Sequence, residues 1–542
     1  MQRSPRAAWT VPGVGATLAA LVLGGPALAQ QHLDDTTGGV QRASTPTSLD
    51  QVPVPRPENL ADFVKNEAAA VQLGKAFLWD QQVGSDGRTA CATCHHSAGV
   101  DSRSINTLNP GANGVLDLAP AGARTRPGFF PVLGDDVVGS QGVVDMDFVH
   151  VNRGSRIDTG VNTPNPVFGP NPQVTGRQAP TYINAIYNEL FFWDGRAANT
   201  FDGRTVGNAG VPVLAVQLDG SVIPVPVALT DSAAASQSVG PPNSDVEMAW
   251  AGRSFPDIGK KMLSLRPLGT QVVHPQDSTL AALRHPSGRG LRVSYARLIQ
   301  ESFVDSWWDS NVILDRAGNV IGRGTPAGFD QFSLMEFNFS LFWGLAVQMF
   351  EASTISPNSP FDRFARGDSG ALSARQQLGL ELFTGKARCD RCHGGAEFTN
   401  ASVNVGGNGR DFAFIGVEAL AEDPGNADGE FKVPTLRNTE LTGPFFHSGK
   451  YLTLRQVIDF YDRGGDVPND ELDPLGLSEA EKTALVDFLV ALTDDDVRFQ
   501  RGVFDHPSLS PANGAPIPAV GRLGSAVPLR PFLGISPFHP GP

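Results

Sequence analysis

Two Cys-X-X-Cys-His units, Cys91-Ala-Thr-Cys94-His95 and Cys389-Asp-Arg-Cys392-His393, use all four cysteines of this 542-residue chain. Two cysteines three apart on a turn can form thioethers to one porphyrin edge, and the adjacent histidine then reaches the iron from the proximal side. This is the attachment signature of c-type haem. The spacing therefore predicts two covalently bound haem c groups, with His95 and His393 as proximal ligands. Four cysteines in a secreted chain usually suggest disulfides, but the paired spacing overrules that reading. Zinc is the other competitor, yet structural Cys-X-X-Cys pairs lie roughly 15–20 residues apart. Here the pairs are 298 apart and each is followed by histidine.

The first 29 residues read as a secretory signal: Arg3 and Arg6, an apolar stretch from Val14 to Gly24, then Ala27-Leu28-Ala29 as a small-residue cleavage site. The apolar run is shorter than the roughly 20 residues a membrane span needs. Cleavage near Ala29 and a periplasmic or extracellular location are therefore expected, and no later segment reads as a span. Without the signal, 40 basic side chains face 56 acidic ones, a net charge of −16. Like-charged nucleic acid and anionic membrane are disfavoured as partners, and a basic redox partner is favoured.

The length suits two or three domains of about 150 residues each. Sixty glycines and 42 prolines place much of the chain in turns and loops. Residues 30–58 read as a flexible polar arm, and 59–355 as a first haem domain with long insertions near 101–176 and 204–245. Residues 356–500 read as a second haem domain, and 501–542 as a Pro- and Gly-rich tail packed as an irregular strap. From Ser333 to Phe350 the chain is apolar enough for a buried helix. Ser373-Ala-Arg-Gln376, Thr453-Leu-Arg-Gln456 and Ser478-Glu-Ala-Glu481 are capping boxes that predict helix starts. The first opens a helix carrying Leu378, Leu382 and Phe383; the last precedes Leu485, Phe488, Leu489 and Leu492 on one face.

What a haem iron does depends on its far side: a second strong ligand makes an electron carrier, and an open position admits peroxide or dioxygen. The chain has ten histidines and six methionines, and none sits in an obvious ligand motif. Several strings, however, follow a recognisable order: Arg177-Gln-Ala-Pro-Thr-Tyr-Ile-Asn184, Phe192-Trp-Asp-Gly-Arg-Ala197, Ser359-Pro-Phe-Asp-Arg363, Val433-Pro-Thr-Leu-Arg-Asn438 and Gly443-Pro-Phe-Phe-His-Ser-Gly449. In these the chain resembles the bacterial dihaem cytochrome c peroxidase and MauG family. The resemblance spans roughly residues 60–98, 177–202, 240–265 and 335–495. It implies a mainly α-helical fold of two cytochrome c-like domains with Trp193 between the haems as an electron relay; a core tryptophan is the plainer alternative. It also implies that Glu247, after Gly240-Pro-Pro242, is a distal carboxylate shuttling a proton between peroxide oxygens; a solvated loop glutamate is the alternative.

The departures from the family's pattern carry information of their own. A glutamine is often found about ten residues after the relay tryptophan, and here that place falls near Gly203. The loop that carries a removable distal histidine in many peroxidases is replaced by Pro164-Asn-Pro166 to Pro172, without histidine, which implies an open first haem with Pro241 or Pro242 nearby, as in the MauG branch. The far ligand of the second haem is ordinarily methionine; the matching position is Tyr461, fourteen residues after His447. A phenolate is a hard anionic donor that stabilises oxidised iron. A packing tyrosine is the alternative. The family's interdomain calcium site maps to Gln178, Thr442 and Pro444, with glutamine where asparagine is normal.

Three functions follow from these readings. The first is a hydrogen peroxide reductase using a small cytochrome c or cupredoxin as electron donor. The second is a MauG-like enzyme oxidising residues of a partner protein, and the third is a non-enzymatic dihaem electron-transfer cytochrome. A dihaem oxygenase acting on a hydrophobic polymer would share the fold.

Overall fold

Hydroxyl side chains placed just before apolar runs set many of the helix starts. A computed structural model describes residues 46–204, 212–405, 411–417, 423, 425–426 and 429–541. The expected signal peptide and residues 30–45 of the expected arm lie outside the described residues. The helices are α1 (Glu67–Trp79), α2 (Cys91–His95), α3 (Ala233–Ser238), α4 (Phe255–Leu263), α5 (Tyr295–Ser302), α6 (Leu334–Phe337), α7 (Phe339–Glu351), α8 (Pro360–Ala365), α9 (Ala374–Thr384), α10 (Leu454–Asp462), α11 (Glu479–Val490) and α12 (Asp495–Arg498). The Ser373, Thr453 and Ser478 side chains accept the backbone N–H of Gln376, Gln456 and Glu481, so the three capping boxes form as expected.

Strands among the described residues come as short antiparallel pairs: β1 (Leu108–Asn109) with β2 (Val137–Val138), β3 (Met146–His150) with β4 (Thr159–Asn162), β5 (Val213–Val216) with β6 (Val222–Val225), β7 (Val312–Leu314) with β8 (Val320–Arg323), and β9 (Phe412–Ala413) with β10 (Phe431–Lys432). Helices thus carry the core and irregular chain connects them.

Each haem motif is preceded by a helix that crosses a later one through a glycine. On α1, a Cβ at Gly74 would sit 1.8 Å from the Ala346 carbonyl oxygen of α7; on α9, a Cβ at Gly379 would sit 2.1 Å from the Ala484 carbonyl oxygen of α11. Only the missing side chain lets the backbones approach so closely. The first crossing is filled by Leu73, Phe77, Phe342, Trp343 and Phe350. The second is filled by Phe361, Phe383, Phe398, Leu485 and Phe488. Leu378, expected on the buried face of α9, is 41% exposed, because Gly379 takes the contact with α11.

The described residues fall within one compact unit. Residues 46–58 are not a free arm where they are described: Ser48 and Leu49 are buried, and the Leu49 N–H donates to Asp362 Oδ1 of α8 at 3.0 Å. A backbone donor with a buried charged acceptor fixes this stretch, despite its polar composition. The tail is an irregular strap on the first core. Asp505 pairs with buried Lys75 of α1, which also holds Asp277 at 2.8 Å, and the His506 ring stacks on Trp79 at 4.6 Å.

Candidate functional site

Both Cys-X-X-Cys-His units open on one cavity of about 850 Å³, whose lining includes Trp193, Glu247, Glu351, Lys432, His447 and Tyr461. The Cys91 unit forms α2, and the Cys389 unit begins a single 3-10 turn, Cys389–Arg391. All four thiols are free of disulfides. Burial pushes Cys94 and Cys389 up to about 12 and raises Cys91 as well, so the sulfurs stay protonated at neutral pH.

The two histidines are prepared in the same way. His95 Nδ1 lies 2.7 Å from the Gly99 carbonyl, and His393 Nδ1 lies 3.1 Å from Pro434 O and 3.2 Å from Phe398 O. A carbonyl can only accept, so Nδ1 carries the proton and Nε2 keeps its lone pair. Burial lowers the pKa of both rings, His393 to about 4, which holds them neutral. The neighbouring His96 is committed elsewhere, with Nδ1 at 3.3 Å from Thr93 O and Nε2 at 3.0 Å from Ser102 Oγ. Of the adjacent pair, His95 lines the cavity.

Tyr461 stands on α10 over the second unit. Burial, followed by the neighbouring Cys392 and Cys389 sulfurs, raises its pKa far above the ordinary phenol value, and its hydroxyl makes no hydrogen bond among the described residues. Trp193 is held at both ends: its indole Nε1–H donates to Gln178 O at 2.9 Å, and its carbonyl accepts the Lys432 N–H at 2.8 Å. Glu247 is half-buried and lines the cavity, as does Pro241. Burial raises its pKa against an opposing hydrogen bond from Ser244. The Pro164–Pro172 loop does not reach the cavity lining; Asn165 and Gly169 bridge to each other.

The three residues of the expected calcium site meet, but they close on themselves. Gln178 Nε2 donates to Thr442 O at 3.4 Å, Gln178 O takes the Trp193 indole, and Pro444 follows a cis peptide bond. None of the three is a carboxylate, so the set gives a hard dication little negative charge.

Two cavity groups, Glu351 and Lys432, carried no distinctive signal in the sequence, and His447 stood out only as part of the Gly443–Gly449 string. His447 stacks on Phe431 at 3.5 Å and leaves Nε2 buried without a partner. Burial pushes Glu351 up to about 8, and its Oε2 is likewise unpartnered. Lys432 is 9% exposed, and burial alone lowers it to about 8. A charged residue inside an apolar run, as in Phe431-Lys-Val433 or Met349-Phe-Glu351, was the available hint.

The residues fit two haems. The cavity is lined by two pairs of cysteines outside any disulfide and by two neutral imidazoles whose Nδ1 is committed to a carbonyl, and the unsatisfied Glu351 Oε2 and His447 Nε2 belong to the same lining. No cluster of three or more His, Cys, Asp or Glu among the described residues is arranged to hold a metal ion.

Comparison with known proteins agrees with this geometry. The family model described as di-haem cytochrome c peroxidase matches residues 68–267. Cytochrome-c peroxidase IdrP2 of Denitromonas iodatirespirans is 34% identical over 215 residues, covering 34% of this chain and 57% of that protein. Methylamine utilization protein MauG of Methylorubrum extorquens is 36% identical over 158 residues, covering 27% of this chain and 42% of that protein. These matches support the resemblance to the dihaem cytochrome c peroxidase and MauG family, over residues 68–267 for the family model. That family implies two c-type haems. Cytochrome c peroxidase Ccp of Escherichia coli is 24% identical over 449 residues, covering 80% of this chain and 63% of that protein. The chain spans about half the length of the first two relatives. The stretch matched by the family model includes Cys91–His95, Trp193, Pro241 and Glu247, whereas Cys389–His393 and Tyr461 lie beyond it. No helix among the described residues is long and apolar enough to cross a membrane.

Proposed function

We propose that the chain is a periplasmic dihaem oxidoreductase that reacts with hydrogen peroxide in the Cys91/Cys94 half and draws electrons through the Cys389/Cys392 half from an external donor. The observation that carries this reading is the asymmetry of one shared cavity. Tyr461 lies beside the second Cys-X-X-Cys-His unit, while Glu247 lies beside the first, together with Met248, whose Sδ is 3.8 Å from Cys91 Sγ.

Cys91, Cys94 and His95 would hold one haem, and Cys389, Cys392, His393 and Tyr461 the other; when bound, these groups supply the redox chemistry of peroxide reduction. The chain's own contribution is positional. Glu247, whose carboxyl burial makes a weaker acid, lines the cavity where it can take up and pass a proton within hydrogen-bond reach. The Gly99 and Pro434 carbonyls orient His95 and His393, and by polarising N–H make each Nε2 a stronger donor. Trp193, clamped between Gln178 and Lys432, offers an oxidisable ring in the lining common to both halves.

A small cytochrome c or cupredoxin is the donor this reading favours. Tyr461 in place of methionine supports a second reading, MauG-like oxidation of residues in a partner protein, because a phenolate favours oxidised iron.

The test is a hydrogen peroxide titration of the purified diferric protein, followed by electron paramagnetic resonance and optical spectra. A high-spin haem beside a low-spin one, both changing with peroxide, is expected. Two low-spin haems indifferent to peroxide, in diferric and half-reduced protein alike, would leave an electron carrier.

A further inference from the structure

The cavity between the two motifs contains a cation without a counter-ion. Lys432 ends β10, is 9% exposed, and lines the cavity. Among the described residues no carboxylate pairs with it, and no hydrogen bond from its ammonium is found. The other lining cations differ: Arg177 is bound to Asp194 and Asp423, Arg196 pairs with Asp194, Arg388 is exposed, and Arg391 is only half-buried, with Asp390 beside it.

An unpaired buried ammonium costs several kcal/mol, roughly the penalty left after relaxation. Burial is the one influence on its pKa, with no neighbouring acid to oppose it. A lysine with a flexible stem could avoid that cost by reaching water, yet here it stays inside. Its backbone explains why: the Lys432 N–H donates to the Trp193 carbonyl at 2.8 Å, and the preceding Phe431 is fixed against His447 at 3.5 Å and under the Arg177 guanidinium at 5.6 Å. Successive strand residues point to opposite faces. Seating Phe431 between His447 and Arg177 therefore sends Lys432 to the other face of the strand, and both residues line the cavity.

We infer that Lys432 is a positioning residue whose ammonium pairs with a carboxylate of a haem bound in this cavity, so that the strand joining it to Trp193 also anchors the haem. Each haem brings two propionates, anions that a mostly apolar cavity would otherwise leave uncompensated. A fixed positive charge beside a haem favours the reduced state, which carries one positive charge fewer. Lys432 thus raises the reduction potential of the haem it holds. Its tie to the Trp193 backbone also couples haem seating to the ring proposed as relay.

This inference rests on the two covalent haems and not on peroxide reactivity, so a holoprotein inert to peroxide would overturn the proposed function and leave this test intact. The experiment is spectroelectrochemical titration of full-length holoprotein, wild type, Lys432→Gln and Lys432→Arg, with the two haems resolved by their separate absorption bands. In Lys432→Gln the midpoint of one haem is expected to fall by a tenfold change or more in its reduction equilibrium, about 59 mV for one electron. The other haem should move less, and the band that shifts identifies which haem owns the carboxylate. Lys432→Arg, which keeps the charge, should stay within threefold of wild type. If Lys432→Gln fails to retain both haems while Lys432→Arg retains them, the requirement for charge is upheld. The inference is overturned if Lys432→Gln holds both haems with midpoints unchanged, or if Lys432→Arg behaves as Lys432→Gln does.

Discussion

Asp362→Asn removes one charge from the best-satisfied ion pair in the second half. Asp362, at the third position of α8, is fully buried, and so is the Arg437 guanidinium that grips it with Nη1 to Oδ2 at 2.9 Å and Nη2 to Oδ1 at 3.0 Å. Oδ1 also accepts Ser48 Oγ–H at 3.2 Å and the Leu49 N–H at 3.0 Å; Oδ2 accepts the Ser359 N–H at 2.9 Å and Ser359 Oγ–H at 2.6 Å. Every neighbour of both oxygens is thus a donor. An asparagine must turn its NH₂ towards one set of them, losing those bonds and leaving Arg437 without a full counter-charge. Breaking a buried pair from one side costs about 3–5 kcal/mol. The damage should reach the haem motif, because Arg437 Nε–H donates to Ala396 O at 2.6 Å and the Phe398 carbonyl orients His393.

Burial alone would raise the Asp362 pKa, but Arg437 and the hydrogen bonds together hold it below the ordinary 3.8. A depressed folded pKa means stability that is complete above the unfolded value and lost as pH falls through the folded one. The deficit of Asp362→Asn against wild type should therefore be full at pH 7 and shrink only in acid below about pH 4. Urea unfolding followed by far-ultraviolet circular dichroism measures it, with the ferric spectrum of the His393 haem as the local reporter. A loss under about 1 kcal/mol at pH 7, the scale of an exposed pair, would refute this account.

The remaining predictions concern the cavity and the helix crossings. Glu351 is raised from 4.5 to about 8 by burial, so the folded state holds a proton that the unfolded state releases. Stability should fall as pH rises from about 4.5 towards 8, by an order of a few kcal/mol, and Glu351→Gln should flatten that slope in urea titrations; an unchanged slope would acquit Glu351. Tyr461→Phe removes a hydroxyl that makes no hydrogen bond among the described residues, so thermal stability should change little while the ferric spectrum of the second haem changes. An unaltered spectrum would remove Tyr461 as a ligand. Gly379→Val places side-chain atoms where the Ala484 carbonyl oxygen lies 2.1 Å from a Cβ, and should destabilise by about 1–3 kcal/mol or more; a neutral result in chemical denaturation would mean that the crossing can open freely. Replacing Cys91 and Cys94 by serine should halve the covalent haem measured by pyridine haemochrome, and retention of two haems would contradict the attachment.

What could be read in the chain itself was local. Cys91–His95 and Cys389–His393 declare their chemistry within five residues, and Ser373, Thr453 and Ser478 announce helices because a cap bonds a backbone N–H three residues ahead. The apolar run from Ser333 likewise specifies a buried helix, formed as α6 and α7. Which residues face the cavity was decided by contacts between distant segments. Lys432 is turned inward through a bond to Trp193, residues 46–58 are fixed by Asp362, and Leu378 is left outside because a glycine beside it meets Ala484. Capping and haem attachment depend on neighbours in sequence, so spacing alone determines them. The environment of a buried charge depends on which chains surround it, and only the tertiary structure brings those together.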